Sequence, residues 1–172
     1  MAIGRYYVVS VFDTSTPLGT GATVTTTSPT AILCGTTLAT NDLNISAIRV
    51  GVLGAASFPS NASIIASLNI ATTTVTGGQT ATPRLLAGSS SPAAQTTWKT
   101  AGGTSAAALA SLVQSTYLWS QELPFTAGSN WGEWFTPGFE INVPASTQVA
   151  LYIQASSAGT ATTFSGEIEY SE

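Results

Sequence analysis

The chain contains no histidine, one cysteine (Cys34) and only four basic residues, Arg5, Arg49, Arg84 and Lys99, in 172 positions. Each shortage excludes a chemistry. Without His there is no side chain whose ordinary pKa moves a proton near neutral pH. The Ser-His-Asp triad, the Cys-His dyad and mixed Cys/His zinc clusters go with it. One Cys forms no internal disulfide, and Cys34 closes the apolar run Ala31-Ile32-Leu33-Cys34 with no basic neighbour. That setting predicts a buried, inert thiol rather than a reactive one. The few Lys and Arg form no cluster to neutralise phosphates, which argues against direct nucleic-acid binding. No apolar run reaches the length of a membrane-spanning helix. The apolar start, Met1 to Phe12, runs into Asp13 with no small-residue cleavage site behind it, and so does not read as a secretory signal.

Charge is scarce altogether. Charged residues make up 7% of the chain, against roughly 25% in an ordinary soluble domain. The net charge is −4, and Glu122, Glu133, Glu140, Glu167, Glu169 and Glu172 gather toward the C-terminal half. With 44% hydrophobic residues the chain is not composed like a disordered one. Its length fits one domain with a real core. A surface made of Thr, Ser, Asn and Gln, with little charge to hold neighbours apart, points to assembly into something larger.

The dominant pattern is a period of two. Ser63 to Ala71 places Ile64, Ala66, Leu68 and Ile70 on one face. Gln148 to Gln154 aligns Val149, Leu151 and Ile153. The last segment sets Phe164, Ile168 and Tyr170 against Glu167, Glu169 and Ser171. These read as half-buried strands, and the outward carboxylates as a solvated edge. Arg5 to Phe12 is apolar on both faces: Tyr6, Val8 and Phe12 on one, Tyr7, Val9 and Val11 on the other. Such a strand is either central in a sandwich or meets another subunit through Tyr7, Val9 and Val11. Ile45 to Leu53 is similar, with Arg49 as the exception.

Turn signals fall at short intervals, among them Asn41-Asp42, Gly77-Gly78, Gly102-Gly103, Pro137-Gly138 and Gly159. Many short strands so punctuated predict an all-β antiparallel sandwich with at most one or two short helices. The one helical candidate is Ala106 to Gln114, capped by Thr104-Ser105, with Leu109, Leu112 and Val113 on one stripe. Residues 1–172 read as a single domain. The Thr-rich stretch from Thr14 to Thr40 is either an extended arm or two further strands.

Candidate sites are few. The densest aromatic segment holds Trp131, Trp134, Phe135 and Phe139 beside Glu133 and Glu140. These rings either roof one end of the sandwich and touch another protein, or form a platform for a sugar. Glu122, Glu133 and Glu140 are the only carboxylates to weigh for glycoside cleavage, which needs two of them roughly 5 to 10 Å apart. No pair in the sequence has a catalytic signature. Asn41-Asp42 is too thin for calcium. Gly19-Thr20-Gly21 and Gly77-Gly78 lack the ending of a phosphate loop. The sequons Asn44-Ile45-Ser46 and Asn61-Ala62-Ser63 are expected by chance in a chain this rich in Ser and Asn. The expectation is no catalytic residue, no cofactor and no metal.

Several stretches together resemble a group of small tailed-phage virion proteins. They are Ile48-Arg49-Val50-Gly51-Val52, Ala66-Ser67-Leu68-Asn69-Ile70-Ala71, Thr82-Pro83-Arg84-Leu85-Leu86 with Pro92-Ala93-Ala94-Gln95-Thr96-Thr97, Tyr117-Leu118-Trp119, Glu140-Ile141-Asn142-Val143-Pro144, Val149-Ala150-Leu151 and Gly166-Glu167-Ile168-Glu169-Tyr170. The resemblance spans roughly residues 44 to 172 and rests on strand patterns and turns. It implies a jelly-roll-like sandwich on the phage particle: a capsid decoration (cement) protein, often a trimer, bound to the major capsid protein or other virion proteins. A receptor- or carbohydrate-binding tip or fibre domain of a phage tail has the same sequence features. A shell component needs no catalytic group, and polar, uncharged contact surfaces suit it.

Overall fold

The computed structural model describes residues 5–12, 22–24, 30–55, 63–71, 77–87, 94–101, 114–124, 128–155 and 162–172. These form thirteen strands: β1 (Tyr6–Ser10), β2 (Ala22–Val24), β3 (Thr30–Thr36), β4 (Leu43–Ala55), β5 (Ser63–Ala71), β6 (Gln79–Ala81), β7 (Arg84–Ala87), β8 (Thr97–Thr100), β9 (Gln114–Pro124), β10 (Asn130–Trp134), β11 (Ile141–Val143), β12 (Gln148–Ala155) and β13 (Thr162–Ser171). Among the described residues there is no helix. The helical candidate lies outside them except for Gln114, which opens β9. Of the Thr14 to Thr40 stretch, Ala22–Val24 and Thr30–Thr36 are strands; 14–21 and 25–29 lie outside the described residues.

All pairings are antiparallel, in two sheets. The first runs β10-β4-β13-β1-β7, with β11 beside β4 and β2 beside β13; the second runs β6-β8-β3-β12-β5-β9. Take the eight principal strands in chain order as β1, β3, β4, β5, β9, β10, β12 and β13. The first sheet then holds the sixth, third, eighth and first, and the second sheet the second, seventh, fourth and fifth. That interleaving is the strand order of a jelly roll, two Greek keys wrapped into one sandwich. Strands β7, β8 and β6 widen the edge beyond β1 and β3.

The alternation that marked β13 holds. Phe164, Ile168 and Tyr170 are buried, with Gly166 at the inward position between them, and Ser165, Glu167 and Glu169 face outward. β13 is not an edge, however: it lies between β4 and β1. β12 is central as well, and Tyr152 and Ala150 on its second face are as buried as Val149, Leu151 and Ile153. On β5, Ile64, Ala66 and Leu68 enter the core, while Ile70 is only half-buried.

The double-sided apolar pattern of β4 has a local cause. Its pairing with β13 skips Ser46 and Leu53, two bulges that each shift the phase of the strand. Ile45 therefore stands opposite Tyr170 and joins Ile48, Val50 and Val52 in the core, while Leu53 is left exposed. Tyr7, Val9 and Val11 are also inside the chain's own core, and Tyr7 stacks on Tyr170 at 5.5 Å between ring centroids. The reading of these three residues as a subunit interface is thus replaced by the central-strand reading. Tyr170 in turn packs on Trp98 of the second sheet at 5.4 Å, so an aromatic column ties the two layers together.

Two polar straps tie loops to this frame. The Glu172 carboxylate accepts hydrogen bonds from the Thr96 backbone N–H (2.9 Å) and hydroxyl (2.7 Å). Thr37 donates to the carbonyls of Pro144 and Thr147 (3.0 Å each) and accepts from Thr147 N–H (2.8 Å).

Candidate binding surface

β10 builds the surface. It lies along β4 with Trp131 opposite Val50, Gly132 opposite Arg49 and Trp134 opposite Ala47. Strand alternation sends Trp131 and Glu133 toward the second sheet and Asn130, Gly132 and Trp134 to the outer face. Trp131 stacks on Trp119 of β9 at 5.1 Å, and the Trp119 indole N–H donates to Glu133 Oε2 at 2.7 Å. These contacts close one long edge of the sandwich. Trp131 and Trp134 do not roof the same end: three positions apart on a strand, they point to opposite faces.

Trp134 is 63% exposed yet held in place. Its ring leans over Gly132, where a Cβ would lie 3.2 Å from the indole, and the Arg49 guanidinium carbon sits 5.0 Å from the ring centroid. Arg49 is itself anchored across the sheet by ion pairs to Glu167 and Glu169. Burial works against the Arg49 charge. The hydrogen bonds to Glu169 and Glu167, with the charges of both, outweigh it and hold the guanidinium above its already high pKa. The two carboxylates share a face as expected, but on a central strand around an arginine. The signal in the sequence was the lone Arg49 on an otherwise apolar strand; its partners are more than a hundred residues away. Beside this group opens a cleft of about 370 Å³ lined by Ser10, Arg49, Asn130, Trp131, Trp134 and Glu167, among others.

Phe135 and Phe139 fall elsewhere. Phe135 packs against the core, its N–H bonded to the Ser46 carbonyl at 2.9 Å. Phe139 is 79% exposed, at the last position of the turn from Thr136 to Phe139. Phe139 N–H closes that turn on the Thr136 carbonyl at 2.8 Å, with Pro137 second and Gly138 third. Gly138 takes φ +89, which disfavours any other residue there. Its N–H donates to Glu140 Oε2 at 2.7 Å. The turn is fixed, and it carries an exposed ring.

The remaining candidates hold separate places. Glu133 serves Trp119, Glu140 serves the Gly138 turn, and Glu122 stands on β9 opposite Ile65. Asp42 accepts from Asn142 and from Ala145 N–H. Among the described residues, no group of three or more His, Cys, Asp or Glu is placed to hold a metal.

Cys34 is buried, and burial pushes its thiol from an ordinary 9.0 up to about 12. Burial also raises the phenols of Tyr152, with a smaller push from Cys34, and of Tyr170, with a smaller push from Glu172. A raised pKa in the fold means stability that is complete below the unfolded value and lost as pH climbs. The urea midpoint should therefore fall between pH 8 and 10.5. Cys34 alone accounts for about 2 kcal/mol by linkage, and the two tyrosines add in the same direction. Cys34→Ala should show a smaller fall than the parent; equal falls would remove Cys34 from the account.

Compared with family models, with curated proteins and with solved structures, the chain finds no match.

Proposed function

We propose that this chain is a virion structural protein of the capsid decoration (cement) type, which binds the major capsid protein of a phage head and reinforces the shell without catalysis. The observation that carries the reading is the jelly-roll strand order, an architecture shared by many shell-forming and surface-binding proteins. Fold alone does not fix function. The resemblance to phage virion proteins over roughly residues 44 to 172 and the charge-poor composition supply the rest.

The exposed Phe139 is the docking group in this reading. A rigid turn that displays an aromatic ring suits a contact hot spot, because little conformational freedom is lost on binding. Exposed apolar residues at the β1–β7 edge support self-association, which in this reading gives a trimer. Tyr6, Leu85 and Leu86 are exposed where β7 edges the first sheet, and among the described residues β7 pairs only with β1. On purified shells stripped of this protein, Phe139→Ala should lower the bound copy number about tenfold while leaving the melting temperature of the free protein unchanged. Undiminished occupancy would remove the turn from the contact. Failure of the parent chain to bind any shell would remove the function.

A further inference from the structure

We infer that the cleft beside Trp134 is a binding site for neutral pyranose saccharides. It is separate from the Phe139 turn and does not depend on the capsid reading. The first ground is the indole itself. An exposed Trp on a surface without a task would be free to swing. This one rests against Gly132 and the Arg49 guanidinium, and Arg49 is locked by two carboxylates. Gly132 makes the arrangement feasible, since a Cβ would sit 3.2 Å from both Arg49 Cγ and the ring. The result is a positioned aromatic surface that is still 63% open to solvent. Such a surface matches the C–H face of a sugar ring, which is apolar on one side and hydroxylated around its rim.

The second ground is what surrounds the ring. The lining of the cleft includes the polar residues Asn130, Ser165 and Glu167, with the Ser165 hydroxyl also donating to the Gly51 carbonyl. These supply donors and acceptors for hydroxyl groups, the usual mix of an apolar floor with a few polar points. A volume of about 370 Å³ suits one or two rings rather than a long chain buried end to end.

The third ground is charge. One arginine faces two glutamates, so the cluster carries a net charge of about −1. Both glutamates already engage the arginine, which leaves no free cation to receive a carboxylate or phosphate. Uronic acids, sialic acids and phosphorylated sugars are disfavoured, and neutral hexoses and N-acetylhexosamines are selected.

The test uses the full chain. Methyl glycosides and disaccharides of glucose, galactose, mannose and N-acetylglucosamine are titrated while the indole N–H resonances are followed by NMR, with galacturonate and N-acetylneuraminate as acidic probes. At least one neutral saccharide should saturate and shift the Trp134 signal. The acidic probes should bind about tenfold more weakly or not at all. Trp134→Ala should weaken the neutral ligand at least about tenfold with an unchanged melting temperature. Trp134→Phe should keep part of the affinity, and Phe139→Ala should keep all of it. Three results would each overturn the site: no saturable shift with any neutral sugar, tighter binding of the acidic probes, or full affinity in Trp134→Ala. Loss of shell binding in Trp134→Ala without any sugar response would make the cleft a protein contact instead.

Discussion

Trp98→Ala should cost about 3–5 kcal/mol of folding stability and lower the melting temperature by on the order of 10 °C. Trp98 is 1% exposed and is the bulkiest fully buried side chain. On β8 it pairs with Gly35 of β3, and its ring lies where a Gly35 Cβ would be, at 2.9 Å. The strand opposite has given up its side chain to make room, so nothing nearby can expand to fill the space when the indole is removed. Across the sandwich the ring supports Tyr170, which supports Tyr7. Truncation thus leaves a cavity and also unsupports an aromatic column joining the two sheets. Trp98→Phe is the informative control. The indole N–H and the Tyr170 hydroxyl lie in this interior without a well-formed hydrogen bond. Phe keeps most of the packing and removes an unsatisfied donor, so its cost should be well below that of Ala. Equal losses for Ala and Phe would mean that the indole N–H matters more than the ring.

That residue also shows where the sequence was silent. Thr97–Thr100 is four residues long in a run of Thr, too short for a period to declare itself, and nothing local marks Trp98 as the largest piece of the core. β5, β12 and β13 were legible because one face alternates cleanly over seven or more positions. β4 was half legible. Its apolar residues were plain, but bulges at Ser46 and Leu53 exist only in relation to β13, more than a hundred residues further along. The outer-face cluster was hidden for the same reason: Arg49 and the two glutamates meet only when β4 and β13 pair. The parity of Trp131 and Trp134 was not legible, because it follows only once Asn130–Trp134 is known to be a strand, and no alternation marks that segment. What the sequence did not contain was the Gly132 gap that lets Trp134 lie down beside Arg49.

Gly166→Val should be nearly as damaging as Trp98→Ala, by about 3 kcal/mol, at the upper end for overpacked cores. Gly166 takes an inward position on β13 between Phe164 and Ile168, where the pattern calls for a large apolar residue. The space is already taken. A Cβ there would stand 2.7 Å from Ile32 Cδ1, 3.1 Å from Leu151 Cδ2 and 3.5 Å from Val11 Cγ1. All three neighbours are fully buried; Ile32 and Leu151 come from β3 and β12 and Val11 from the residue just past β1, so both sheets converge on this one point. The sandwich interior behaves as a close-packed solid, and extra methyl groups force rotamer or backbone shifts. A double-mutant cycle separates this cause from loss of glycine's backbone freedom. Gly166→Ala alone should cost about 1–3 kcal/mol. Ile32→Val alone removes the Cδ1 methyl and should cost about 0.5–1.5 kcal/mol. If the clash is with that methyl, Ile32→Val should be stabilising in the Gly166→Ala background, a coupling of about 1 kcal/mol or more between adjacent sites. Urea unfolding of the four proteins measures it. Simple additivity would show that the glycine is needed for its backbone and not for the closeness of the sheets.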